Sequence, residues 1–454
     1  MKIKTKIFGV LKQKIGDEGG KELLSESLIA FFIRSFSALV SFVMNIVIAR
    51  YLGADESGYF FLALSVITVL STFCRLGTDN IMLRFISIHK SRDEVDEMQS
   101  VVILLLKKVL IFSFIIVPII VFGSNIISVY IFKKPLLQIT MIWTGLSLPF
   151  FAGYMLLSYA FQGIKKAAYS VTLQGTILPF LLIIAILIFA PSKSSQLSFI
   201  YFIISVITLA GGYICWKKIT LGHVKPYANS RQLIAESKPL LVVAMLQQSI
   251  LWGGQFISGA YVTPASLAQF AIAQRTSLLI SFILIAVNLV SAPRFAAYYN
   301  ANEINKLKKY VKTTTRLLIV ISIPLVIVVF VFAPQIMALF GKGFKSGAIL
   351  LRILAIGQLI SMMSGSVGYL LMMTGHQKEM RNINIINGIL ALVLFGILIP
   401  KYGAIGAAIS TSIAIGSQNL MAVRQVKKKL GINTLAVGVG SWKTIFQKKV
   451  KNKA

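Results

Sequence analysis

Residues 27–50 read SLIAFFIRSFSALVSFVMNIVIAR, an apolar run long enough to cross a bilayer as a helix, with one arginine inside it. Arg34 has no acidic residue within seven positions on either side. The fold turns on whether this stretch is one of many like it. It is: apolar runs of comparable length recur along all 454 residues. The chain is 56% apolar, only 13% charged, and has a mean hydropathy of +0.81. A soluble chain would carry about 25% charged residues. The sequence therefore specifies an all-α membrane protein of about twelve transmembrane helices.

The predicted spans lie near 28–49, 57–77, 102–123, 136–161, 168–190, 197–216, 239–261, 266–290, 314–334, 346–373, 382–400 and 403–423. With alternating directions, 35 of the 46 lysines and arginines fall on one side. The other side holds seven: Arg50, Lys133, Lys134, Lys193, Lys342, Lys345 and Lys401. The positive-inside rule then places both termini in the cytoplasm. It also accounts for most of the net charge of +32, which in a soluble protein would point to nucleic acid; no nucleic acid is expected here. Residues 1–20, MKIKTKIFGVLKQKIGDEGG, lack the apolar core of a signal peptide. Their Ile3, Ile7, Leu11 and Ile15 fit either a surface-lying helix or a basic tail.

A basic connection, 217–238, divides the spans into two sets of six. The expected organisation is a basic segment at 1–26, a first bundle at 27–216, the 217–238 linker, a second bundle at 239–424 and a basic tail at 425–454. A shift of 210 residues brings Tyr51 onto Tyr261, Phe60 onto Phe270, and Arg84-Phe85 onto Arg294-Phe295. Spans four and ten also end alike, with GIKK at 163–166 and GHQK at 375–378. Both matches suit two parallel halves related by an axis along the membrane normal. Pro118, Pro149, Pro179 and Pro324 interrupt spans, either as hinges or as ordinary transmembrane prolines. Cys74 and Cys215 fall inside spans and suggest no disulfide framework; His89, His223 and His376 read as solvated loop histidines.

Four arginines lie within spans: Arg34, Arg75, Arg275 and Arg352. Arg34 and Arg275 stand about 7 Å and about 5 Å from the middle of their helices at 1.5 Å per residue. A central arginine costs about 2.5–3.5 kcal/mol on insertion scales, so it is expected to face a cavity or a partner. Arg352 lies nearer the lysine-poor end, where snorkelling competes with function; Arg75 lies close to the lysine-rich end, where snorkelling is favoured. All fourteen acidic residues fall outside the spans, and only Asp79 is placed to pair, with Arg75. The central arginines thus await an anion from outside the chain. Guanidinium binds phosphate oxygens in bidentate fashion, which suits a diphosphate. Asn45 in span one, and Gln247, Gln248, Trp252 and Gln255 in span seven, offer amides and an aromatic face for sugars, or else glue between helices. The GKGFKSG stretch at 341–347 lacks the order of a nucleotide-binding loop, and nothing calls for a cofactor or a metal.

Three stretches carry a family resemblance: ARYLGADESGYF (49–60), LFGKGFKSGAILLRILAIGQL (339–359) and LLMMTGHQKEMRNINIINGILALVLFGILIPKYGAIGAAISTSIA (370–414). They resemble the polysaccharide transporters of the multidrug, oligosaccharidyl-lipid and polysaccharide exporter superfamily, and among them the O-antigen or oligosaccharide flippases. The resemblance covers most of residues 27–425. It implies two six-helix bundles around a central cavity. It also implies transfer of a polyprenyl-diphosphate-linked oligosaccharide across the bacterial plasma membrane for O-antigen, capsule or exopolysaccharide. Membrane lipids and other polysaccharide assembly proteins are the implied partners. Many relatives carry an acidic residue in span seven near the position of Gln255, and its absence departs from the pattern of ion coupling. A multidrug or cation antiporter of the same fold would want carboxylates in the cavity. A polymerase or ligase would want a large outer loop or an acid–base pair. A scramblase-like bundle is the remaining alternative.

Overall fold

The structure, a computed structural model, describes residues 18–220, 223 and 230–434, with side chains for 32–220, 223, 241, 244–248 and 250–434. The possible surface helix through Ile3, Ile7, Leu11 and Ile15 lies outside the described residues, as do most of the linker and the tail beyond Thr434.

Two helical runs are far too long to cross a bilayer once. The first, α1 (Glu18–Cys74), has 57 residues, and the last, α15 (Gln377–Leu430), has 54. A straight helix of that length would reach about 80 Å, against about 30 Å of hydrocarbon. Each reverses at a single glycine: Gly53, with φ 74° and ψ −177°, and Gly403, with φ 57° and ψ −133°. Only glycine enters those regions without strain. Each run is therefore two spans. Among the described residues nine runs are long and apolar enough to cross a membrane. Two of them count double, and α8 (Ser230–Tyr261) supplies one more. Twelve crossings result, as the hydropathy pattern anticipates.

Between these lie α2 (Thr78–Ser91), α3 (Val95–Ile126), α4 (Leu137–Gly163), α5 (Ala167–Gly175), α6 (Ile177–Phe189) and α7 (Ser194–Ile219) in the first half. The second half adds α9 (Pro264–Leu278), α10 (Phe282–Asn300), α11 (Ile304–Val331), α12 (Ala333–Ala338), α13 (Ala348–Ser364) and α14 (Val367–Met373). The central helix of each half is the most enclosed: 67% of the apolar window of α4 is buried, and 56% of that of the run ending in α13, against 28% for several others. These are spans four and ten, six apart, as a repeated half requires. Large apolar side chains such as Ile119, Phe122 and Phe189 stand exposed. In water such a surface drives aggregation; in lipid it is the solvated face.

One continuous core joins the halves at the lysine-poor end. It takes Phe60, Phe61 and Ala63 from the first half and Leu267, Phe270, Phe340 and Ala407 from the second. A methyl group at Gly58 would run into the Pro264 carbonyl, so glycine lets α1 and α9 touch backbone to backbone. A separate core of Phe295, Leu307, Leu370 and Val426 serves the lysine-rich end of the second half alone.

The prolines divide in their effect. Pro118, Pro149 and Pro324 sit inside continuous helices. At Pro179 span five breaks into α5 and α6. The carbonyl four residues earlier, on Gly175, has lost its intrahelical donor. It accepts instead from the Ser41 hydroxyl of span one at 3.2 Å. Span ten breaks as well, at Gly365 (φ 78°) between α13 and α14, where the hydropathy pattern reads one uninterrupted span. The histidine expectation needs correction. His89 is buried, and its ring nitrogen lies 2.6 Å from Glu94, because the turn after α2 folds the chain back over the helix end. His376 lies 3.1 Å from the Thr374 hydroxyl and packs on Tyr299.

Candidate functional site

Span seven supplies the site's backbone. Gln248, Trp252 and Gln255 recur at i, i+4 and i+7 along α8 and so share one face. That face meets the first half through α1. At the lysine-rich end Gln248 donates to the Thr72 hydroxyl at 3.1 Å. In the middle Trp252 lies beside Arg275 of α9, whose guanidinium carbon is 5.8 Å from the indole centroid and 4.2 Å from the Phe61 ring of α1. Further on, Gln255 donates to Gln274 at 2.8 Å, and Gln274 donates to the Leu251 carbonyl at 2.9 Å. Amides, rings and a cation thus line one interhelical seam.

Arg275 is the distinctive member. No carboxylate is paired with it among the described residues, and its buried Nη1 has no hydrogen-bond partner. Two aromatic faces hold the guanidinium, which is worth about 2 kcal/mol or more when desolvated. They leave its edge donors unused, because a ring face engages only the plane of the cation. The Gln255 and Gln248 carbonyl oxygens along the same seam are also buried without donors. The seam holds more polar capacity than it satisfies, as expected of a binding site.

The remaining candidates are dispersed. Arg75 is closed in on itself: Nε reaches Asp79 at 3.0 Å, Nη1 reaches Ser71 at 3.0 Å and Nη2 reaches Thr72 at 3.2 Å. The Asp79 pairing anticipated from the spacing is present, and it leaves Arg75 a structural residue at the seam's end. Arg34 is exposed and without an ion pair among the described residues; with Arg75 it lies within electrostatic reach of Tyr159, toward the lysine-rich end and apart from Arg275. Arg352 donates from Nε to the Phe330 carbonyl at 2.9 Å and lies over that residue's ring. It thereby satisfies one of the orphaned carbonyls at the end of α11, within the second half. Asn45 is buried and donates to its own helix at Ser41, with Oδ1 unpartnered. Gln247 is exposed, one residue off the seam. No cluster of three metal-ligating side chains occurs among the described residues.

Sequence reasoning missed Phe61, Gln274 and Lys134. Gln274 adjoins Arg275 inside an apolar span, a signal that was available. Phe61 is one phenylalanine among 30, and nothing local distinguishes it. Lys134 is buried at the lysine-poor end, where its Nζ reaches the Gly259 carbonyl in the last turn of α8 at 2.5 Å and its own loop at Phe132 at 3.1 Å. It bridges the halves and answers the negative end of the helix dipole. Desolvation lowers its pKa below the usual lysine value.

Two six-helix halves meeting along spans one, two, seven and eight define a multi-pass transporter fold of the MATE type. Residues 23–299 match the family described as polysaccharide biosynthesis protein, and residues 239–398 match the MatE family. The chain belongs to the polysaccharide biosynthesis protein family. It is 23% identical over 435 residues to a probable low-salt glycan biosynthesis flippase, Agl15, of Haloferax volcanii, covering 93% of this chain and 87% of the other. The fold resembles the lipid II flippase MurJ in an inward closed conformation, with TM-score 0.72, 17% identity, and 87% of each chain covered. It also resembles an inward-facing multidrug resistance MATE family transporter, with TM-score 0.64, 15% identity, and 90% of this chain and 100% of the other covered.

Proposed function

We propose that the protein is a flippase that carries a polyprenyl-diphosphate-linked oligosaccharide from the inner to the outer leaflet of the bacterial plasma membrane, by alternating access of its two halves, for cell-surface polysaccharide synthesis. The carrying observation is Arg275: a half-buried cation at the junction of the halves, lacking a carboxylate among the described residues and with its enclosed Nη1 donor unused. The diphosphate is the anion that supplies those missing acceptors. The amides of Gln248 and Gln255 and the Trp252 ring meet the first sugars. The lysine-rich end is the cytoplasmic one, with both termini there. Family membership and the flippase relative support the same reading. A cation antiporter is disfavoured, because Asp79, the carboxylate that the described residues place at the seam's end, is already paired with Arg75.

The step moves charge without making or breaking a covalent bond. A diphosphate leaving an inside-negative compartment releases about 2.3 kcal/mol per charge per 100 mV. Transport in proteoliposomes should therefore slow when valinomycin clamps the potential to zero. Insensitivity to the potential, with strict dependence on a proton gradient, counts against this route. The substrate is read from the cell: deletion of the gene should accumulate a lipid-linked oligosaccharide on the cytoplasmic face. Normal surface polymer in the deletion strain would end the flippase reading.

A further inference from the structure

The membrane-facing side of the first half carries a cleft of about 230 Å³ at the lysine-rich end, lined by Phe161, Tyr169, Leu173, Ile177, Gly211 and Cys215. It lies beside the break that Pro179 imposes between α5 and α6. The Gly211-Gly212 pair of α7 has two roles. A side chain at Gly212 would press on Leu173 and Leu157, whereas one at Gly211 would meet nothing within 4 Å. Gly212 thus closes the packing, and Gly211 opens the cleft. The walls are almost wholly apolar and offer water too few hydrogen-bond partners to hold it. An empty cleft forfeits the dispersion contacts of its lining. A hydrocarbon chain from the surrounding leaflet satisfies both conditions.

The mouth selects the headgroup. Lys165 and Lys166 follow α4, and Lys217 and Lys218 end α7. All four are exposed, and none is ion-paired among the described residues. Lysines at this end follow from the topology; their attachment to the cleft wall does not. Lys166 Nζ stands 5.5 Å over the Tyr169 ring, which stacks on Phe161 at 5.7 Å. Lys218, three residues after Cys215 and seven after Gly211, falls on the face of α7 that lines the cleft. Lys166 is anchored to a ring of the cleft wall, and both ammonium groups keep donors for an anion. We propose that this cleft binds an anionic phospholipid, with one acyl chain against Gly211 and its phosphate at Lys166 and Lys218.

The test uses full-length delipidated protein, titrated with phosphatidylglycerol, phosphatidylcholine or glycerol phosphate and read by native mass spectrometry. The natural chain should retain one phosphatidylglycerol in preference to phosphatidylcholine, and glycerol phosphate should neither bind nor compete. Gly211→Phe should lose that lipid. Lys166→Gln with Lys218→Gln should keep a lipid but lose the preference, by about fivefold for each lysine. Equal retention in Gly211→Phe, no preference for the anionic lipid, or binding of glycerol phosphate alone each overturns the proposal. Should Gly211→Phe not fold, the natural chain decides. Phosphatidylglycerol should protect Cys215 from a lipophilic maleimide, with the buried Cys74 as the unreactive internal control. Unchanged labelling of Cys215 overturns the proposal.

Discussion

Arg275 of the second half lies with its guanidinium carbon 4.2 Å above the Phe61 ring of the first, so the half-buried cation of the junction rests on an aromatic face contributed by the opposite bundle. Movement of the halves must separate this pair or carry it along, and an arriving anion competes for the same guanidinium.

Arg275→Ala should lower surface polymer or flipping in proteoliposomes by roughly tenfold or more, the worth of one charge-assisted hydrogen bond. Arg275→Lys should recover only part, since an ammonium lacks the planar fork that binds a diphosphate in bidentate fashion. Full activity in Arg275→Ala removes the residue from the mechanism. Arg352→Ala should leave transport close to normal and act on stability, because its donor serves the end of α11.

Gly58→Val should prop α1 away from α9 at the lysine-poor end, where the Pro264 carbonyl occupies the space of any side chain. Overpacking of this kind costs about 1–3 kcal/mol. The expected readouts are a lower melting temperature and increased labelling of a cysteine placed at Val262. An unchanged melting temperature and unchanged labelling would show that the close approach is not needed.

Ser41 and Pro179 should behave as a coupled pair. Ser41→Ala strands the Gly175 carbonyl, at a cost of about 1–3 kcal/mol. Pro179→Ala restores the backbone donor that this carbonyl lost. The double variant should therefore be more stable than the sum of the single effects, measured by a double-mutant cycle on thermal unfolding. Strict additivity means that the two residues are independent.

Lys134 predicts a pH dependence at the lysine-poor end. Burial lowers its pKa below the usual value of 10.5, so the closed state binds fewer protons than an open state with Lys134 in water. Closure should then strengthen as pH rises through the lowered value and level off near the ordinary one. Labelling of a cysteine at Phe132 should fall as the pH is raised through that window, after correction for thiol ionisation with a free-thiol standard. The same trend in Lys134→Met would assign it to another group.

Much of the architecture was legible in the chain. Span count, the two sets of six and the lack of acidic residues within the spans all follow from hydropathy and charge, which add up locally along a helix. Each half's central helix was hinted at by the GIKK and GHQK matches, because equivalent helices in a repeat end in equivalent loops. The site was legible only in part. Arg34, Arg75, Arg275 and Arg352 look alike as charges in apolar runs. Their fates diverge through neighbours remote in sequence: Arg275 meets Phe61, and Arg352 meets Phe330.

The amino-acid sequence by itself determined that this is a membrane protein, how many times it crosses, and that its buried cations lack carboxylates within the spans. Transfer free energy depends on which residues a helix contains, whatever packs around it. Tertiary structure alone decided which cation reaches the junction, that Gly53 and Gly403 reverse the chain, and that Ser41 caps the carbonyl freed by Pro179. Those outcomes depend on the rotation and depth of each helix among its neighbours, which side-chain packing between distant segments sets.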